Sequence, residues 1–380
     1  MTHTIDRPRT RMPRHRFMPA IWLGLPLIAL YAGSTSSYAA TTNTVINVRD
    51  KGAKGDGVHD DTHAIQSAID SLPARGGTVL VPKGTYMIDA MRSINLRSNM
   101  VLQLAPDATI AALSNGSKRS YMIKVWNVSN VSITGGNIVG ERNGHTGVGG
   151  EWGFGIDIQA AKHVRVTNVH ISDCWGDGMW IGALGPDGHA TPSTDVVVDN
   201  VVSTGNRRQG LSIGPVDGVT ITHSTFSNTH GTMPQAGIDI EPQAQGHASN
   251  ITIDDCTVAD NRGSGLEIHD NVSNVTVKNS SFTNNYGYGV LTVDTATQVS
   301  IGNNRITGNG LAGLSINGKS SYVKADGNTL GNNSARYPMK QNTPLARNTN
   351  FMQGRQLEVK DSTHQITTSS NTFMPQTDWH

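Results

Sequence analysis

Cysteine, aromatic side chains and net charge are all scarce in this sequence. Its 380 residues hold two Cys, 5% aromatics and a net charge of +1. The near-neutral charge removes the electrostatic case for a nucleic-acid partner. Two thiols cannot form a cysteine zinc site. Cys174 and Cys256 fall at different columns of the repeat described below, so no disulfide is expected and both read as buried packing. Long apolar runs are also rare. The one near the start, from about Phe17 to Ala32, is broken by Pro19 and Pro26 and follows a basic stretch of Arg7, Arg9, Arg11, Arg14 and Arg16. With Ser37-Tyr38-Ala39 behind it, this reads as an export signal over residues 1–39, cleaved after Ala39. The expectation is a secreted or periplasmic protein with no membrane span once the signal is removed.

Glycine is plentiful, at 42 residues, and Asn, Ser, Thr and Val recur throughout. That mixture suits short strands joined by tight turns. One pattern, Val/Ile-x-Val/Ile, appears as Val131-Ser132-Ile133, Val164-Arg165-Val166, Val196-Val197-Val198, Val219-Thr220-Ile221, Ile251-Thr252-Ile253, Val275-Thr276-Val277 and Val299-Ser300-Ile301. A second, Gly-apolar-x-apolar, interleaves with it: Gly155-Ile156-Asp157-Ile158, Gly178-Met179-Trp180-Ile181, Gly210-Leu211-Ser212-Ile213, Gly237-Ile238-Asp239-Ile240 and Gly265-Leu266-Glu267-Ile268. Both settle to a period of 24 residues late in the chain. Strict alternation means strands with one face in and one out. A 24-residue unit of short strands and turns is one coil of a solenoid, whose coils stack to bury a shared apolar stripe. A sandwich of regular strands does not explain two repeats in fixed phase. Asn168, Asn200, His223, Asp255, Asn279 and Asn303 share one column after the first pattern, where a turn with left-handed backbone is expected.

The fold class is therefore all-β: a single-stranded right-handed parallel β-helix over residues 45–333, with an N-terminal capping helix. Asp60-Asp61-Thr62 followed by Ala64, Ile65, Ala68 and Ile69 reads as that helix. Beyond about Ser334 the repeat is lost, and residues 334–380 are expected to pack outside or to end the stack.

Val48-Arg49-Asp50-Lys51-Gly52-Ala53-Lys54-Gly55-Asp56-Gly57, with Asp60-Asp61-Thr62 and Gly76-Gly77-Thr78-Val79, resembles the opening segment of the pectate-lyase-like β-helix superfamily. The resemblance covers roughly residues 45–330. It implies this fold and a polysaccharide substrate, because members include polygalacturonase-like hydrolases, polysaccharide lyases, alginate C5-epimerases and phage depolymerases. Gly237-Ile238-Asp239-Ile240-Glu241-Pro242 is similar to the Gly-x-Asp-Pro-His element of the epimerases, with Ile240 and Glu241 in place of Pro and His. Gly210 to Gly214 is similar to the segment after the catalytic His of polygalacturonases, but Arg208-Gln209 stands where Gly-His is expected. The resemblance thus implies no set of catalytic residues.

Alternation itself points to a site. In Gly237–Glu241 the isoleucines face inward, so Asp239 and Glu241 face outward. One coil later Glu267 shares the Asp239 column and His269 the Glu241 column. Coils stack about 4.8 Å apart and same-face neighbours lie about 6.6 Å apart, so the four form one square of ionisable groups. Acidic residues at these columns peak in these two coils. Three carboxylates so close repel, and one pKa rises unless a cation compensates. The stacked pair Asp239–Glu267 suits a retaining glycosidase and the diagonal Glu241–Glu267 an inverting one. Asp239, Glu241, Glu267 and His269 are the expected catalytic groups. Trp180, Asp157, Asp177, Arg208 and Tyr288 are expected to contact substrate, the rings as aromatic platforms and Arg208 either as the partner of a uronate or as a partner of the acids. Trp152, Trp175 and Tyr286 lie at the same strand edge. No resident cofactor is expected, although three carboxylates could hold calcium. Hydrolysis is the first reading. Uronate elimination or C5-epimerisation, and a non-catalytic adhesion solenoid, are the alternatives.

Overall fold

A computed structural model describes residues 44–337, 343–344, 347–360 and 363–375. The expected export signal lies outside these residues. Three parallel sheets of 12, 12 and 10 strands wind into a right-handed β-helix. Every coil contributes one strand to each of the first two sheets, and ten coils also contribute one to the third. The first sheet carries the Val/Ile-x-Val/Ile strands and the third the Gly-apolar-x-apolar strands. The register is the one the repeat implies: Val275 pairs with Val299, and Val299 with Val323. No helix among the described residues is long and apolar enough to cross a membrane.

Alternation puts Ile, Leu and Val into a continuous interior that includes Ile238, Ile240, Leu266, Ile268, Phe226 and Phe282, all fully buried. Both thiols are free and buried. The glycine of each Gly-apolar-x-apolar segment in the third sheet is fixed by close approach. A Cβ on Gly237 would lie 2.4 Å from Val258 Cγ1 and 2.7 Å from Asn261 Nδ2. The outer turn column has the expected left-handed backbone, with φ between 49° and 57° at Asn168, Asn200, His223, Asp255, Asn279 and Asn303. A second Asn column is buried at the corner between the second and third sheets. Asn261, Asn285, Asn309 and Asn333 stack there, each Oδ1 accepting from the backbone N–H of the residue one coil earlier at 3.0–3.2 Å.

The helix Thr62–Asp70 packs Ile65, Ala68 and Ile69 against the first coils. Its N-cap residue, Asp61, makes no side-chain capping bond; Asp60, one residue earlier, accepts through Oδ1 from Thr62 N at 3.0 Å. Asp61 turns back to accept from the backbone of Lys54 and Gly55. At the other end Leu357–Val359, Thr367–Ser369 and Thr372–Phe373 add one strand to each sheet.

Candidate functional site

The third sheet sets the site. Its outward column runs Asp157, Trp180, Ser212, Asp239, Glu267 and Leu291, one residue per coil in unbroken pairing. Asp239 and Glu267 are therefore direct neighbours, as the repeat spacing requires. Three of the four expected catalytic groups converge: one donor atom each from Asp239, Glu267 and His269 lies within 4.8 Å of the others. His269 Nε2 stands 3.2 Å from Asp239 Oδ1 and 3.3 Å from Glu267 Oε2. The approach to Asp239 is off the hydrogen-bond direction, so that contact is an ion pair and Oδ1 accepts no well-aligned hydrogen bond. Burial disfavours a charge on His269, but the carboxylates of Asp239 and Glu267 outweigh it and push the pKa up to about 10. The compensating cation is thus the imidazolium itself. Two carboxylates and an imidazole suit calcium poorly, because calcium takes six or more oxygens. Glu241 stands apart from the trio, its Oε2 accepting from Gln243 at 3.3 Å.

Asp239 faces away from the core yet is only 2% exposed. Gln209 covers it, donating through Nε2 to Oδ2. The amide is held in that orientation because Arg208 Nη1 donates to its Oε1. Arg208 is itself engaged, 3.1 Å from Asp177 and 3.4 Å from Glu151. It is therefore a partner of protein carboxylates, the second of its two expected roles, while it also lines the cleft described below. Asp177 is fully buried and accepts from Ser212 Oγ at 2.7 Å, so it does not reach the groove as a free group. Its burial outweighs Arg208 and raises its pKa to about 6.

Upstream of Asp239 the face is aromatic. A cleft of about 480 Å³ is lined by Trp126, Trp152, Phe154 and Trp180, with Asp239 and Glu241 also on its wall. Phe154 and Trp180 lie parallel at 5.8 Å, and Arg119 sits 4.7 Å over Trp152. Two long loops wall the cleft. Leu184 and Asp187 come from the connection after Gly182, and Gln243 and Gln245 from that after Glu241. The loops clasp each other through Gly188 N to Ala244 O at 3.1 Å. Glu267 and His269 back Asp239 without lining the cleft. Trp175 lies elsewhere, stacked on His145 at 3.6 Å with Arg207 over its ring. Tyr288 is also off the cleft, and Glu358 raises its pKa after burial does.

Asp157 is buried under this floor and accepts from Trp126 Nε1 at 2.8 Å and Gln159 Nε2 at 3.0 Å. Burial outweighs those bonds and lifts its pKa to about 7. The folded state then holds this proton more tightly than the unfolded chain between the ordinary carboxyl value of 3.8 and about 7. Stability contributed by the protonated form is present at low pH and is lost as pH rises through about 7. Urea midpoints should accordingly fall from pH 5 to pH 8, and Asp157→Asn should flatten that decline. Parallel wild-type and variant curves would mean that Asp157 ionises freely.

Sequence reasoning missed Gln209, Trp126 and Phe154. Trp126 belongs to Arg119–Trp126, which lacks the glycine-led pattern. Gln209 sits in a turn, where alternation does not say which way a side chain points.

Residues 45–291 match the family model described as rhamnogalacturonase A/epimerase, pectate lyase-like, and residues 246–374 match the right-handed β-helix region. A prophage-derived uncharacterised protein of Bacillus subtilis is 32% identical over 50% of this chain and 38% of its own length. The chain therefore spans well under half of that relative. Two solved structures share the fold. The A-module of an Azotobacter vinelandii mannuronan C-5 epimerase has a TM-score of 0.66 and 20% identity, over 87% of this chain and 86% of that one. A surface adhesin of Streptococcus pneumoniae also has a TM-score of 0.66, with 21% identity, over 87% and 90% of the two chains.

Proposed function

Because the chain belongs to the pectate-lyase-like family of rhamnogalacturonase A and epimerases, we propose that it hydrolyses an extracellular polysaccharide at the Asp239 end of the cleft. The observation that carries this reading is the meeting of an aromatic floor with two carboxylates, Asp239 and Glu241, on one cleft wall. Sugar rings pack on aromatic faces. Glycosidic cleavage needs one group that gives a proton to the leaving oxygen and one that activates water or attacks. The Asp239–His269–Glu267 cluster shares a proton and acts as the acid. Glu241, on the open side, acts as the base. The proton belongs to the cluster as a whole, since groups this close titrate together.

Elimination and epimerisation are less well supported. Both need a free base and a cation at the uronate carboxylate. His269 already carries its proton below about pH 10, and Arg208 is engaged by Asp177 and Glu151. The protein acts outside the cytoplasm in this reading, secreted or periplasmic.

A panel of acidic and neutral polysaccharides tests it, scored for new reducing ends and for unsaturated-uronate absorbance. Reducing ends without absorbance are expected. Absorbance rising with them marks a lyase, and altered uronate stereochemistry without cleavage an epimerase. No product from any polymer favours a binding or adhesion solenoid.

A further inference from the structure

We propose that Arg262, Tyr286 and Arg336 form a binding subsite for a carboxylated or sulfated sugar, on the turn edge beside the third sheet and C-terminal to the cleft. The inference rests on the reading that the chain acts on a polysaccharide, and it narrows that polymer to an anionic one.

The three residues are placed by the buried Asn column. Arg262 follows Asn261, Tyr286 follows Asn285, and the backbone of each turn bonds to the coil before: Tyr286 N to Asn261 O at 2.8 Å, and Gly310 N to Asn285 O at 2.7 Å. Arg262 comes from the coil before Tyr286, its guanidinium carbon 4.9 Å from the ring centre. Arg336 comes from beyond the next coil and reaches back to 4.1 Å from the same ring. It can do so because residue 310 is glycine: a Cβ there would lie 2.8 Å from Arg336 Cγ and Cδ. The result is a ring between two cations, open to solvent, with Tyr286 itself 45% exposed.

This arrangement does little for the fold, because all three side chains lie on the surface. Its cations are also uncommitted. Among the described residues, neither guanidinium has a carboxylate within ion-pair distance or a side-chain hydrogen bond. Arg207 is the contrast. It stacks on Trp175 in the same turn column but donates to Gly150 O at 2.7 Å. Each guanidinium packs over the ring and keeps its N–H donors unspent, and such a fork matches a carboxylate or sulfate. With cations approaching from the coils on either side, Tyr286 offers no clear face for a neutral sugar ring. Charge, not apolar stacking, is what this surface presents.

The test is retardation in native gels containing polygalacturonate, dextran sulfate or unmodified dextran. The double variant Arg262→Ala/Arg336→Ala should lose about tenfold in affinity for the two anionic polymers at low salt. The loss should vanish at about 1 M salt, where exposed charges are screened. Arg262→Lys/Arg336→Lys should fall between, because charge remains without the fork. Dextran should not distinguish the proteins. Unchanged affinity in the double Ala variant, or an equal loss on dextran, overturns the subsite. The two readings fail separately. A wild-type protein that releases reducing ends without retardation by either anion overturns the subsite alone. One that is retarded but releases none overturns the cleavage reading alone.

Discussion

Asn285→Leu should lower stability by about 3–5 kcal/mol, the sum of several buried polar groups left without partners. Asn285 Oδ1 accepts from Asn261 N at 3.2 Å and from Asn261 Nδ2 at 2.8 Å, while its Nδ2 donates to Val258 O and to Asn309 Oδ1, both at 3.0 Å. Leucine fills a similar space and makes none of these bonds. The orphans include a backbone N–H and a backbone C=O at 1% exposure, where water cannot replace the lost partner. Neighbouring rungs share the bonds, so the damage should spread to the coils of Asn261 and Asn309. The control is Asn279→Gly in the exposed outer turn, where φ is 51°. Glycine accepts that backbone without strain, and the change should cost at most about 1 kcal/mol. Guanidinium midpoints of the two variants against wild type decide the matter. Equal midpoints for Asn285→Leu and Asn279→Gly would mean that the inner column contributes nothing beyond shape.

The contrast between these two Asn columns shows what the sequence made legible. The outer column was readable because left-handed turns favour Asn, Asp, His and Gly, and these residues recur there. The inner column is hidden because Asn261, Asn285 and Asn309 sit between two obvious apolar strands and look like ordinary loop residues. The pairing of Asp239 with Glu267 followed from the period alone, since stacked coils cannot slip without turning the interior out. The burial of Asp239 did not follow, because it depends on Gln209 reaching across from a turn. Likewise alternation put Arg208 on the outer side but could not tell a uronate from Asp177 as its partner. Asp60 and Asp61 were equally good caps in sequence; the backbone of Lys54 and Gly55 claims Asp61. The last coil was hidden because Leu357-Glu358-Val359 lacks the leading glycine of its predecessors.

Asp239→Asn should cripple cleavage while leaving the solenoid folded. Asparagine keeps the shape and still offers an oxygen to Gln209 Nε2, which now bonds Asp239 Oδ2. It removes one of the two charges that hold the proton on His269. The acid is then lost and the proton of His269 leaves at lower pH. The expected fall in rate is about 10²–10⁴-fold, the range for removing a positioned acid or base. The pH dependence should change in step. Wild-type activity should keep the protonated cluster up to about pH 10, and any residual activity of the variant should decline earlier. Glu267→Gln should act in the same direction, because Glu267 is the other partner of His269. The most direct test is the initial rate of reducing-end release by wild type and Asp239→Asn, compared at equal folded concentration on the polymer the wild type cleaves best. The account predicts a rate at least a hundredfold lower, by about the lower bound for such a group, in a protein that still unfolds cooperatively. A folded Asp239→Asn protein that releases reducing ends at the wild-type rate would contradict it.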